Sequence, residues 1–189
     1  VGAPITVSGL AGTVAHVSMR IDGTVCTNAA GATTVGIDHS FVNDLELTLR
    51  SPAGTRVLVV NNTDGGGNNF CRVILDDASA GPSIQSVVTA NAPFTGTYTP
   101  NAPLSAFNGE GANGSWTLLA RDFFSQDTGN IRAWTITITP TDATTTTLVS
   151  SVNPSTLGQS VTLTATVASA GSTTPTGTVN FLDGATPLC

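Results

Sequence analysis

Apolar and polar residues alternate along most of this chain, the two-residue period of strands that bury one face. Ala15, Val17, Met19 and Ile21 share one face; Leu45, Leu47 and Leu49 share another, with Glu46, Thr48 and Arg50 opposite. Further runs are "TRVLVV" at 55–60, "RVILD" at 72–76, "SWTLLA" at 115–120 and "AWTITIT" at 133–139. Each is bounded by Gly, Pro, Asn or Asp, residues whose backbone and side-chain preferences end strands. No segment sustains a helical apolar period with caps. The pattern predicts an all-β protein built as a two-sheet sandwich, with Trp116 and Trp134 in its core and each indole N–H on a backbone partner.

The texture changes at "PTDATTTT", residues 140–147, which is Thr-rich and nearly free of charge. A first domain over 1–140, a linker over 141–147 and a second unit over 148–189 are expected. In the second unit Val161, Leu163, Ala165 and Val167 alternate, and "GTVNFLDG" reads as a further strand ending in a turn.

Composition narrows the function classes. The chain has 189 residues, no lysine, six arginines and twelve acids, for a net charge of −6. Nucleic acid is excluded as a partner because no basic stripe exists to neutralise phosphates. No apolar run reaches the ~18 residues of a membrane span. The start, "VGAPITVSGL", lacks the basic end and apolar core of a signal peptide, so the chain reads as a mature or excised piece. Sparse charge with abundant Thr, Val, Gly and Asn fits an extracellular β protein. Cys26 and Cys71 are either bridged or two buried free thiols; a bridge would close a loop of about 45 residues, worth roughly 4 kcal/mol in the chain-entropy model. Cys189 reads as a cysteine whose partner lies elsewhere.

Four segments together carry a family resemblance: "GIDHSFVNDLELTLRSPAGTRVLVV", "GGGNNFCRVILDDASAGPSI", "APFTGTYTPNAPLSAFNGEGANGSWTLLARDFFSQDTG" and "NIRAWTITITP". They resemble the P domain of kexin- and furin-like proprotein convertases, in the form attached to secreted bacterial proteases and surface proteins. The resemblance implies a jelly-roll-like β-sandwich that supports a neighbouring subtilisin-type catalytic domain, in a protein secreted by or displayed on a bacterial cell. It also implies that Cys26, before "GIDHS", is bridged to Cys71, after "NNF". The stretch "NPSTLGQSVTLTATV…PTGTVNFLDG" resembles the first half of a bacterial immunoglobulin-like repeat, a half that cannot cover its own apolar face.

"SQDTGN", 125–130, raises the question of catalysis, because Asp-Thr-Gly surrounds the aspartates of aspartic proteases and resembles the triad-aspartate context of subtilisins. A subtilisin-type triad needs Ser, His and Asp. No Gly-Thr-Ser occurs, and His16 and His39 are followed by Val and Ser, not by the family's Gly. An aspartic protease needs two such aspartates and the chain has one. Nothing local supports a glycosidase pair using Glu46 or Glu110. Asp127 therefore reads as a turn residue and oxygen ligand. Asp122 closes the strand "SWTLLARD", Asp127 lies in the expected hairpin loop after it, and Asp44 opens "DLELTL". If those strands are neighbours, as the resemblance implies, three carboxylates converge and a Ca²⁺ relieves their repulsion. Asp44, Asp122 and Asp127 are the expected ligands, with Asp77, Asp64 and Glu110 as weaker candidates. Zinc is excluded for want of a Cys/His cluster, and the loops match neither an EF-hand nor a phosphate loop. His39 reads as a polar strand-end residue.

Two functions compete. One is a non-catalytic, calcium-binding accessory domain whose partner is the catalytic domain of a subtilisin-like serine protease. The other is a module of a surface or adhesin-type protein binding a protein or glycan ligand, for which Tyr98, Phe123 and Phe124 are the available exposed aromatics.

Overall fold

The computed structural model describes residues 1–169 and 174–188, so the expectation for Cys189 lies outside the described residues. The chain divides into two units, Val1–Thr141 and Asp142–Cys189.

The first unit is all-β. A four-stranded antiparallel sheet runs in the order β1 (Gly2–Val7), β8 (Gly114–Asp122), β4 (Leu45–Arg50), β5 (Arg56–Asn61). The other sheet runs β10 (Trp134–Pro140), β2 (Val14–Ile21), β6 (Phe70–Asp76), β3 (Ile37–His39), β9 (Gly129–Ile131), with β7 (Phe94–Tyr98) pairing parallel to β6. Leu47, Leu49, Val59 and Leu118 of the first sheet share one buried cluster with Val17, Met19, Ile21, Val73 and Leu75 of the second. The predicted strands at 45–50, 55–60, 72–76, 115–120 and 133–139 are present. The two tryptophans are core residues: Trp116 Nε1 donates to the carbonyl of Ala112 at 2.8 Å, and Trp134 Nε1 to that of Ala3 at 3.2 Å.

Three details depart from the period-two reading. Ala15 is exposed and Val14 is buried. A bulge is the cause: Thr139 pairs His16 and Pro140 pairs Val14, so Ala15 opposes no residue and the parity of the strand slips by one. A second irregularity, between Leu47 and Thr48, leaves Val59 unopposed and lets Val59 and Val60 both face the core. The loop holding Asp127 is not a hairpin. β8 belongs to one sheet while β9 and β10 belong to the other, at its two edges, so the chain crosses between layers there.

The cysteines are bridged, Cys26 to Cys71, with a Cα–Cα distance of 5.5 Å. In the second unit β11 (Thr144–Ser150) pairs antiparallel with β12 (Leu163–Ser169), and a small hairpin joins β13 (Leu182–Asp183) to β14 (Thr186–Pro187). Residues 144–147, expected as linker, are thus strand. The strand expected over "GTVNF" does not form; the two short strands pair only with each other. No described residue of this unit is fully buried, and Leu148, Val149 and Leu163 stay exposed.

Candidate functional site

The site lies where β4 and β8 meet at one end of the four-stranded sheet. Their antiparallel register sets Leu45 opposite Asp122, which brings Asp44 beside Asp122. Asp44 ends a single 3₁₀ turn, Val42–Asp44, and its backbone is tied on both sides: its N–H donates to the carbonyl of Phe41 at 3.0 Å, and its carbonyl accepts from Phe123 at 3.1 Å. Asp127 arrives from the crossover between sheets, and its carboxyl group is within hydrogen-bonding reach of Asp44. The structure thus brings together Asp44, Asp122 and Asp127. Asp44 is only 7% exposed. Its carboxyl is held above the ordinary 3.8, first by burial, then by the negative charge of Asp127; His39 opposes the shift and Asp122 adds to it.

His39 belongs to this cluster, which the sequence reading did not anticipate. The ring is buried; Nε2 lies 3.1 Å from Asp122 Oδ2. Nδ1 meets the backbone of Phe41, 3.2 Å from its N and 2.9 Å from its O. Both nitrogens are thus engaged, Nε2 by Asp122 and Nδ1 by the Phe41 main chain. A triad histidine needs one nitrogen on the orienting carboxylate and the other free for the nucleophile. Here the second is occupied by main chain. The other oxygen of Asp122 accepts from the Phe124 N–H at 3.0 Å.

The glycine of Asp-Thr-Gly has a packing role. Gly129 pairs with His39 across β9 and β3, and a Cβ there would sit 2.0 Å from the carbonyl oxygen of Asp38. Only glycine lets the strand after Asp127 approach so closely. Next to it Asp38, 2% exposed, is ion-paired to Arg132, with Asn130 Nδ2 at 3.5 Å from both carboxylate oxygens. This pairing was missed because the partners are 94 residues apart in the chain. The available signal was an acid inside the short apolar segment "GIDHS", with Asn130 and Arg132 alternating on one face of "GNIRA".

A cavity of about 580 Å³ opens here, lined by His39, Asp122 and Asp127 with apolar walls from Ile37, Leu45 and Ile131. Phe41, whose backbone meets His39, and Phe123 and Phe124, which follow Asp122, stand exposed, at 48%, 42% and 61%. The weaker candidates lie apart. Asp77 follows the far end of β6 and accepts from the N–H groups of Leu104 and Ser105 at 2.8 and 2.7 Å, lacing one loop to another. Glu110 accepts from the hydroxyl of Thr55. Asp64 is exposed in its loop.

Among the described residues no three His, Cys, Asp or Glu side chains stand in a ready metal-ligating arrangement. Asp122 is turned toward His39 and the Phe124 N–H, while Asp44 and Asp127 face each other. The donor set is all oxygen apart from His39 and crowded with like charge, which suits a hard cation such as Ca²⁺ and not zinc.

A family profile described as "Proprotein convertase P-domain" matches residues 31–138. Leupeptin-inactivating enzyme 1 of Streptomyces exfoliatus is 30% identical over 137 residues, 72% of this chain and 22% of that protein. A calcium-dependent protease of Trichormus variabilis is 31% identical over 105 residues, covering 54% of this chain and 13% of that one. The chain therefore spans less than a quarter of these relatives. A serine protease of Aeromonas sobria aligns structurally over 74% of this chain and 23% of its own, at 21% identity and a TM-score of 0.23.

Proposed function

The chain belongs to the proprotein convertase P-domain family, and from that premise we propose that it is a non-catalytic accessory domain of a secreted bacterial serine protease of the subtilisin type. It holds one Ca²⁺ between Asp44, Asp127 and Asp122, and the tied rim stabilises the catalytic domain beside it. The observation that carries the calcium reading is the carboxyl of Asp44, buried against the charge of Asp127 with only His39 to offset it. A divalent cation supplies the charge that the cluster lacks, and the name of the Trichormus relative points the same way. Non-catalysis rests on His39, whose two nitrogens are both engaged.

Binding to the folded state alone stabilises by mass action, about 2.7 kcal/mol at a hundredfold excess over Kd. Thermal melts of the chain in calcium and in chelator test this directly. Calcium is expected to raise Tm by several degrees, and Asp44→Ala and Asp127→Ala each to abolish the gain. The same preparation is expected to leave casein and peptide esters intact. Equal melts in calcium and chelator refute the metal site; cleavage that survives purification refutes the accessory role.

One observation favours the second reading, a ligand-binding module of a bacterial surface or adhesin-type protein. Phe41, whose backbone meets His39, and Phe123 and Phe124, which follow Asp122, expose aromatic surface, the feature a protein or glycan ligand would use. The second unit, proposed as the start of an immunoglobulin-like stalk, is in keeping with it. Glycan or peptide binding lost on Phe124→Ala would decide for this alternative.

A further inference from the structure

The outer face of the four-stranded sheet carries a second feature, which starts at Arg121 beside the acidic rim and runs away from it. Register across β8, β4 and β5 lays three rows on this face. Thr117, Arg50 and Arg56 form one; Leu119, Thr48 and Leu58 the next; Arg121, Glu46 and Asn61 the third. The centre is apolar, with Leu58 and Leu119 half-buried, and arginines stand on either side. A shallow depression of about 690 Å³ follows the last two rows and reaches Arg56.

Three of the six arginines of the chain therefore lie on one sheet face with one glutamate, while the remaining three face eleven acids elsewhere. Arg50 and Arg56 are direct cross-strand partners, an arrangement in which like charges repel. Among the described residues none of the three is ion-paired to a carboxylate. Arg50 reaches only the hydroxyl of Thr117, at 3.4 Å. Arg121 is in register with Glu46 yet lies over the ring of Phe123, 4.2 Å from its centroid. An apolar centre flanked by unpaired arginines has the anatomy of a protein interface, where arginine is enriched and the rim is charged.

We propose that this face docks an acidic protein surface, one that brings Asp and Glu side chains to Arg50, Arg56 and Arg121 around an apolar contact at Leu58 and Leu119. The proposal deepens the accessory-domain reading, on which the existence of a neighbouring domain rests, by assigning the docking face and the chemistry of what meets it. A nucleic acid or anionic membrane is disfavoured, because the acids on the rest of the chain repel an extended polyanion.

The test titrates a short poly-glutamate peptide, with its poly-glutamine counterpart as control, into the full chain followed by amide NMR. Saturable shifts are expected at Thr48, Leu58 and Leu119 with glutamate only. Arg56→Glu should weaken binding roughly tenfold or more, because it replaces an attraction with a repulsion. It should melt no earlier than the parent, because Arg50 then faces a carboxylate. Arg56→Gln, which keeps the length of the side chain nearly unchanged, should give an intermediate loss. Shifts centred elsewhere, equal response to poly-glutamine, tighter binding of duplex DNA or phosphatidylserine vesicles, or affinity unchanged in both variants would overturn the proposal. The calcium melts read the carboxylates beyond Arg121, at the opposite end of this face from Arg50 and Arg56. Peptide binding without a calcium response fails the metal reading alone, and a calcium response without peptide binding fails this one alone.

Discussion

Asp44 shows how one side chain can register both the fold and its proposed ligand. Burial and the charge of Asp127 raise its pKa in the folded state, so the native chain binds that proton more tightly than the unfolded chain. Stability from this group is full below the unfolded value and falls as pH rises through the folded one; at neutral pH the cost is complete. Without calcium, the parent should lose stability relative to Asp44→Asn as pH rises from the ordinary carboxylate range. With calcium at neutral pH the order should reverse, because the amide no longer supplies charge to the cation. Melts of both proteins across pH, in chelator and in calcium, check the crossing. His39 is legible only at this scale of detail: its sequence neighbours suggest a polar strand end, and its role depends on Asp122, 83 residues away.

Elements decide whether such side chains meet. The register of β4 against β8 does most of it; that these strands are neighbours was implied by the family resemblance, with Asp122 closing one apolar run and Asp44 opening the other. The path from Asp122 to Asp127 was not. A loop between two apparently consecutive strands reads as a hairpin, yet here the chain changes sheets and β9 pairs with β3. Gly129 makes that possible. Gly129→Ala should push β9 off the Asp38 carbonyl, with a cost of roughly 1–3 kcal/mol for the overpacking. Because Asp127 lies two residues before, the variant should also blunt the calcium-dependent rise in Tm. An unchanged melt and calcium response would show that the close approach has no bearing on the rim.

At the scale of the molecule, one covalent link and one division matter. The Cys26–Cys71 bridge ties the segment before β3 to β6 across 45 residues. Replacing both cysteines by serine should cost about 4 kcal/mol if the chain-entropy account holds, read as a lower denaturant midpoint. The variant's calcium response should persist, since neither cysteine touches the rim. The two units differ in kind. Val1–Thr141 encloses a core drawn from both sheets, whereas the described residues of Asp142–Cys189 bury none of their apolar side chains fully.

The all-β class, most strand positions, the inward face of most strands and the core tryptophans follow from the sequence alone. Alternation is a local property, and burial of one face imposes it residue by residue. The resemblance added the family and the cysteine pairing. Tertiary structure alone decided which parity holds beyond each bulge, where the chain crosses between sheets, and which distant groups meet: Asp38 with Arg132, His39 with Asp122, Asp77 with the loop at Leu104. Those choices depend on which strand lies beside which and in what register. That is a property of the assembled sheets, and no window of neighbouring residues contains it.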